Sequence, residues 1–149
     1  MKFISAIILA LTILGLTAFA QRNVTPAIDR DPQLEADAKH NLDVARQYFS
    51  PLKKAYKSVI YRFEETFAAY PEFSKMDEFL YLAGMSSHYL SEGKGKQKID
   101  LKSERDKQFA PAKLKEDAIA YLTTVVEKYP DSKFVADAKK TLALLQPAK

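Results

Sequence analysis

The chain has 149 residues, a formal net charge of +4, four glycines, no tryptophan and no cysteine. One domain accounts for that length, the missing cysteine excludes a disulfide scaffold, and few glycines among many Ala, Leu, Lys and Glu favour an all-helical fold. Cations and anions, 23 against 19, are too evenly mixed to give the clustered basic face that nucleic acid requires.

Met1-Lys2-Phe3, the apolar run Ile4–Leu16 and Thr17-Ala18-Phe19-Ala20 before Gln21 compose a basic start, an apolar core and an Ala-x-Ala cleavage signal. This is the pattern of a secretory signal peptide over residues 1–20. Cleavage after Ala20 is expected, with retention as an anchor the alternative, since a span wants roughly 20 apolar residues. No cysteine stands at the cleavage site to carry a lipid. The exported protein is therefore expected to be soluble, periplasmic or secreted, and without a membrane span.

Residues 21–31 carry Pro26 and no period, and read as an extended leader. Asp31-Pro32 combines an N-cap acceptor with proline at the first helical position, and Leu34, Ala38, Leu42, Ala45 and Phe49 mark one face of a helix over 32–48. Ser50-Pro51 repeats that start signal and predicts a second helix over 51–69, with Tyr56, Val59, Ile60, Phe63 and Phe67 inside, ended by Pro71. Ser74-Lys75-Met76-Asp77 resembles a capping box that opens a third helix, whose inner stripe is Phe79, Leu82, Ala83, Ser86 and Leu90 and whose end lies near Gly93. Gly84 costs such a helix about 1 kcal/mol against alanine, which argues for close approach of a neighbouring helix.

Periodicity is lost over 92–112. Lys94, Lys96, Lys98, Lys102, Arg105 and Lys107 outnumber Glu92, Asp100, Glu104 and Asp106 there by two, and Ile99, Leu101 and Phe109 are the large apolar residues. Long loops inside compact domains are usually functional or disordered, so the segment reads as an inserted arm that packs on its own repeat or orders on a partner. Replacing 94–108 by a short linker is then expected to leave stability nearly intact. A fourth helix over 112–128 carries Ala118, Ile119, Leu122, Val125 and Val126, and a fifth over 132–145 carries Phe134, Val135, Ala138, Leu142 and Leu145.

Tyr70-Pro71-Glu72-Phe73-Ser74-Lys75 returns as Tyr129-Pro130-Asp131-Ser132-Lys133-Phe134, each copy between two apolar segments of helical period. Internal repetition of this kind means units that bury their faces on one another, and such stacks commonly bind proteins. The pattern resembles the tetratricopeptide family: with Pro71 and Pro130 as closing prolines, Gly84 falls on the small residue of the first helix, and Ala118 and Leu122 on the alanine and large residue of the second. The prolines stand fifty-nine residues apart rather than the usual 34, the excess lying in 92–112. More narrowly, the Tyr-Pro turns, Asp137-Ala138-Lys139-Lys140 and the signal sequence resemble the BamD group of outer-membrane assembly proteins over about residues 34–145. The resemblance implies antiparallel helical hairpins, about five helices in a short right-handed solenoid over 32–146, with a protein or peptide partner in the cell envelope.

Convergent chemistry is missing. His40 and His88 form no metal-ligand spacing and read as surface or satisfied side chains, while Glu64-Glu65, Asp77-Glu78 and Glu116-Asp117 read as solvated helix faces. No phosphate loop or nucleophile motif occurs, so neither an enzyme nor a cofactor is expected. Tyr61, Tyr81 and Tyr89 lie off the main stripes and are either groove contacts or second-layer packing. With Lys94, Lys96 and Lys98 of the loop, they are the candidate protein-binding residues. An exported helical-repeat adaptor is the leading reading, and a structural subunit that self-associates through open repeat ends is the alternative.

Overall fold

The computed structural model describes residues 30–146, which hold five α-helices, one 3-10 helix and no strand. The predicted signal peptide and residues 21–29 of the predicted leader lie outside the described residues. The α-helices are α1 (Pro32–Phe49), α2 (Tyr56–Ala69), α3 (Met76–Ser91), α4 (Pro111–Lys128) and α5 (Val135–Leu145), and the 3-10 helix is Glu104–Phe109. Packing runs α1 on α2, α2 on α3, α3 on α4 and α4 on α5. The protein is thus all-α, two antiparallel hairpins and a closing helix of tetratricopeptide type.

Helix α1 starts as its sequence dictates: Asp31 Oδ1 accepts from the backbone N–H of Gln33 at 2.8 Å and of Leu34 at 3.3 Å. Ala38, Leu42 and Ala45 are its buried positions, and the predicted Leu34 is 38% exposed. Helix α2 begins at Tyr56 rather than at 51. Ser50 opens only a single turn, its carbonyl accepting from Lys53 and Lys54, and the chain breaks at Lys54, whose φ of 47° lies in the left-handed region. Of the predicted stripe, Tyr56, Val59, Ile60 and Phe63 are buried, but Phe67 is 47% exposed. Its ring lies stacked on Phe63, which also meets Phe79 and Tyr121 edge-on at 5.7 and 4.8 Å.

The Tyr-Pro turns spend their serines between units, which corrects the predicted capping. Ser74 donates its backbone N–H to the Glu35 carboxylate of α1 at 3.3 Å, and α3 starts at Met76 without a side-chain cap. Ser132 donates its hydroxyl to Asp77 of α3 at 2.6 Å, and α5 starts at Val135. Each turn is therefore docked on an acid in the first turn of the first helix of the hairpin it follows. Asp77 and Glu78 are not solvated as expected: Glu78 takes the Arg46 guanidinium through both oxygens, each at 2.6 Å.

Helix α3 sits at the centre. Beyond the predicted stripe it buries Met76, Leu80, Gly84, Met85, Ser87 and His88, because a helix with neighbours on every side has little face left for water. A Cβ built on Gly84 would stand 2.8 Å from Leu122 Cγ and 2.9 Å from Cδ2, so the missing side chain is what seats α4. The helix ends in a Schellman motif, with Gly93 at φ 70°, its N–H on Leu90 O at 2.9 Å and that of Lys94 on Tyr89 O at 2.8 Å.

The segment between α3 and α4 packs on its own repeat. Phe109 is 1% exposed and Asp106 8%, and Asp106 accepts Lys57 Nζ through both oxygens at 2.8 Å and the Asp100 N–H at 2.9 Å. Lys57 also donates to the Lys98 carbonyl at 3.2 Å, and Gln97 pairs with Ser58, donating to its hydroxyl at 2.9 Å and accepting from its N–H at 3.2 Å. These bonds argue against the expectation that 94–108 can be replaced without loss of stability. The missed signal is that a polar, aperiodic run buries itself through a few side chains, Gln97, Asp106 and Phe109, and not through a stripe.

Candidate protein-binding site

Where α1 ends, α2 begins and α3 gives way to its linker, three rings meet. Phe49 and Tyr89 are stacked at 6.1 Å, Phe49 and Tyr56 lie tilted at 5.6 Å, and Tyr56 and Tyr89 at 5.2 Å. They form the floor of a cleft of about 600 Å³ whose rim is Pro51, Lys54, Lys94, Gly95 and Lys96. That volume lies inside the usual range of small-ligand sites, roughly 300–1,000 Å³.

The rim is built by the turns. Left-handed Lys54 turns its carbonyl to accept the Lys96 N–H at 3.1 Å, and Lys96 Nζ reaches back to the Leu52 carbonyl at 2.7 Å. Gly95, at φ 128°, leaves room beside Tyr56, whose Cδ2 would be 3.1 Å from a Cβ there. Lys94 pairs with Glu92 at 2.7 Å and stands 5.7 Å over the Tyr89 ring. The Glu92 bond is the first cause that raises the Lys94 ammonium above its ordinary value, and the Lys94 bond is the first cause that holds Glu92 below its own. Burial raises the Tyr56 phenol, with the Tyr89 side chain second. Lys94 is therefore charged and the Tyr56 phenol neutral at physiological pH.

Of the six residues singled out in the sequence, the cleft brings together Tyr89, Lys94 and Lys96. Tyr61 lies apart, its ring edge-on to Phe109 at 5.3 Å with Arg105 5.6 Å above it, and its hydroxyl is buried without a partner among the described residues. Tyr81 stacks on Phe134 at 4.7 Å, and burial, then Asp137, pushes its phenol up. Lys98 lends its carbonyl to Lys57 and exposes its side chain. Sequence reasoning passed over Phe49, Tyr56 and Lys54 as site residues: the first two look like core positions, and no periodic signal marks a left-handed lysine.

Elsewhere the chemistry is sparse. His40 is exposed, whereas His88, expected at the surface or satisfied, is buried with Nε2 3.5 Å from Glu92 and Nδ1 unpartnered among the described residues. Glu64 is half-buried, and burial, then Asp117, raises its carboxyl. No group of three or more metal-ligating side chains occurs among the described residues. None of their helices is long and apolar enough to cross a membrane.

Fold and cleft together define a short helical-repeat scaffold with a surface suited to holding another molecule. The chain belongs to the YfiO family, described as outer membrane lipoprotein, whose family model matches residues 16–148. This is the BamD-like family that the Tyr-Pro repeats and the Gly84, Ala118 and Leu122 spacing resemble. Searches of the curated proteins and of the solved structures found no significant match.

Proposed function

We propose that the protein is an exported adaptor of the cell envelope that holds another protein or peptide in the course of outer-membrane assembly, without chemistry of its own. The observation that carries this reading is the aromatic cleft with its lysine rim, set on a helical-repeat scaffold whose family is named for the outer membrane. Aromatic residues, tyrosine among them, are the side chains that most often anchor protein contacts. Export through the predicted signal peptide puts the adaptor in the periplasm.

The test is affinity capture from envelope extracts with the tagged protein, comparing wild type with Tyr89→Ser in the cleft and Tyr61→Ser outside it, after melting curves show both variants folded. The expected result is a defined partner kept by Tyr61→Ser and lost by Tyr89→Ser. Capture of no partner, or the same loss in both variants, overturns the reading.

A further inference from the structure

The cleft has a chemistry of its own that narrows what the adaptor holds. Its floor is three rings whose faces and edges are offset, the arrangement into which a further aromatic ring inserts with ring centroids roughly 4.5–7 Å away. Around it stand three lysines, of which Lys94 is already partnered by Glu92 and Lys96 donates to a neutral carbonyl. Lys54 is exposed and has no ion pair among the described residues. The rim thus carries three cations against one carboxylate, an excess of two positive charges around an apolar floor. Only an anionic group beside an apolar one matches both parts, and the volume of about 600 Å³ holds two or three side chains.

We propose that this cleft takes a short acidic segment of a partner polypeptide, with an aromatic side chain seated on Phe49, Tyr56 and Tyr89 and a flanking carboxylate held by Lys54 and Lys96. This rests on the adaptor reading and gives its ligand a chemical class. Left-handed Lys54 and Gly95 fix the rim in place, so the site is formed before the ligand arrives and the ordering cost of binding falls mainly on the peptide.

The experiment uses the purified protein and three end-blocked, fluorescein-labelled octapeptides read by anisotropy. The first has a phenylalanine between two aspartates, the second replaces the aspartates by lysines, and the third replaces the phenylalanine by alanine. The first should bind, more weakly as salt rises, and the other two should bind at least tenfold more weakly. Lys54→Glu, which leaves the floor and the fold alone, should weaken the first peptide about five- to tenfold, the size expected for losing and reversing one partly exposed ion pair. Tyr61→Ser should leave it unchanged. Equal binding of the lysine peptide, or insensitivity to Lys54→Glu, overturns the proposal. Anionic phospholipid vesicles competing out the first peptide at similar charge would assign the cleft to a membrane surface and overturn it too. Should no peptide bind while capture of an envelope partner persists and depends on Tyr89, the ligand class falls and the adaptor reading stands; should both fail, the adaptor reading falls with it.

Discussion

Gly84→Ala isolates the approach of α3 to α4. The added Cβ would stand 2.8 Å from Leu122 Cγ, 2.9 Å from Cδ2 and 3.4 Å from Tyr121 Cβ, where carbon atoms prefer roughly 3.5–4.0 Å. Leu122 is 0% exposed and has no solvent to turn into, so the helices must part or the side chain must leave its rotamer. Alanine gains about 1 kcal/mol in helix propensity, and overpacking of a dense core costs about 1–3 kcal/mol. The loss therefore wins, by about 1 kcal/mol at the middle of the range, which lowers the melting temperature by about 4 °C for a domain of this size. Gly84→Leu pushes three more carbons into the same space and lowers it further. Thermal unfolding followed by far-ultraviolet circular dichroism reads both variants. In a Leu122→Ala background Gly84→Ala should lose this overpacking of about 2 kcal/mol, since the colliding atoms are gone, and turn from destabilising to mildly stabilising. A Gly84→Ala protein that melts above wild type would show propensity unopposed and refute the close-approach argument.

Asp106→Asn should lower the melting temperature at neutral pH, because Lys57 loses its charge partner. In wild type the Lys57 bonds, and next the Asp100 N–H, hold the Asp106 carboxyl below its ordinary 3.8. Its contribution is thus complete above that value and is lost as pH falls through the lower folded value; acid unfolding of Asp106→Asn should lack this component, and parallel acid curves would contradict it. Replacing 94–108 by a short Gly-Ser linker removes Gln97 and Asp106 together and should lower stability by more than Asp106→Asn alone; an unchanged urea midpoint would return the segment to the role of slack. Glu78→Gln, which breaks the Arg46 pair, should cost less than about 1 kcal/mol, because the Arg46 side chain is 40% exposed and surface pairs contribute little. A larger fall in the urea midpoint would show that this pair sets the α1 to α3 packing.

The helical part of the fold was legible because its signals are periodic. Ala38, Leu42 and Ala45 repeat at helical spacing, as do Leu114, Ala118, Leu122 and Val125, and all are buried. Single-residue signals were read less well. Asp31 caps α1, but Ser50, which also precedes a proline, and Ser74 and Ser132 of the Tyr-Pro turns cap no helix. Their polar groups bond elsewhere: Ser50 closes its own turn, Ser74 meets Glu35 and Ser132 meets Asp77. The Ser74 bond is made by its backbone N–H and the Ser132 bond by its hydroxyl proton; bonds to a carboxylate are roughly twice as strong as neutral ones, so these contacts fix where each turn sits and the helix begins beyond it. For the candidate site, off-stripe spacing picks out tyrosines without placing them: Tyr89 lines the cleft, Tyr61 packs on Phe109 and Tyr81 on Phe134. The linker packs Phe109 on Tyr61 and passes Gly95 and Lys96 beside Tyr89, and its path is written in Gln97, Asp106 and Gly95, none of which belongs to a period.

That linker also explains why the cleft exists. In a regular tandem of such units the two helices of a hairpin join through a few residues, and the end of the first helix is covered by its own short turn. Here the chain leaves α3 at Gly93, lays Gly95 and Lys96 along the turn that precedes α2, and is held there by Lys54 O, Leu52 O and Ser58. It then crosses to Asp106 and Phe109 before it enters α4. The detour covers Tyr61 and Ile60 with Phe109 and leaves Phe49 and Tyr89 half-buried, with Tyr56 buried beside them, between two lysine-bearing stretches of chain. The inserted length that separates the two prolines is therefore what converts a packed repeat edge into a rimmed pocket. A variant that shortened the insertion would alter the site and the stability together, whereas Lys54→Glu, outside the insertion, alters the site alone.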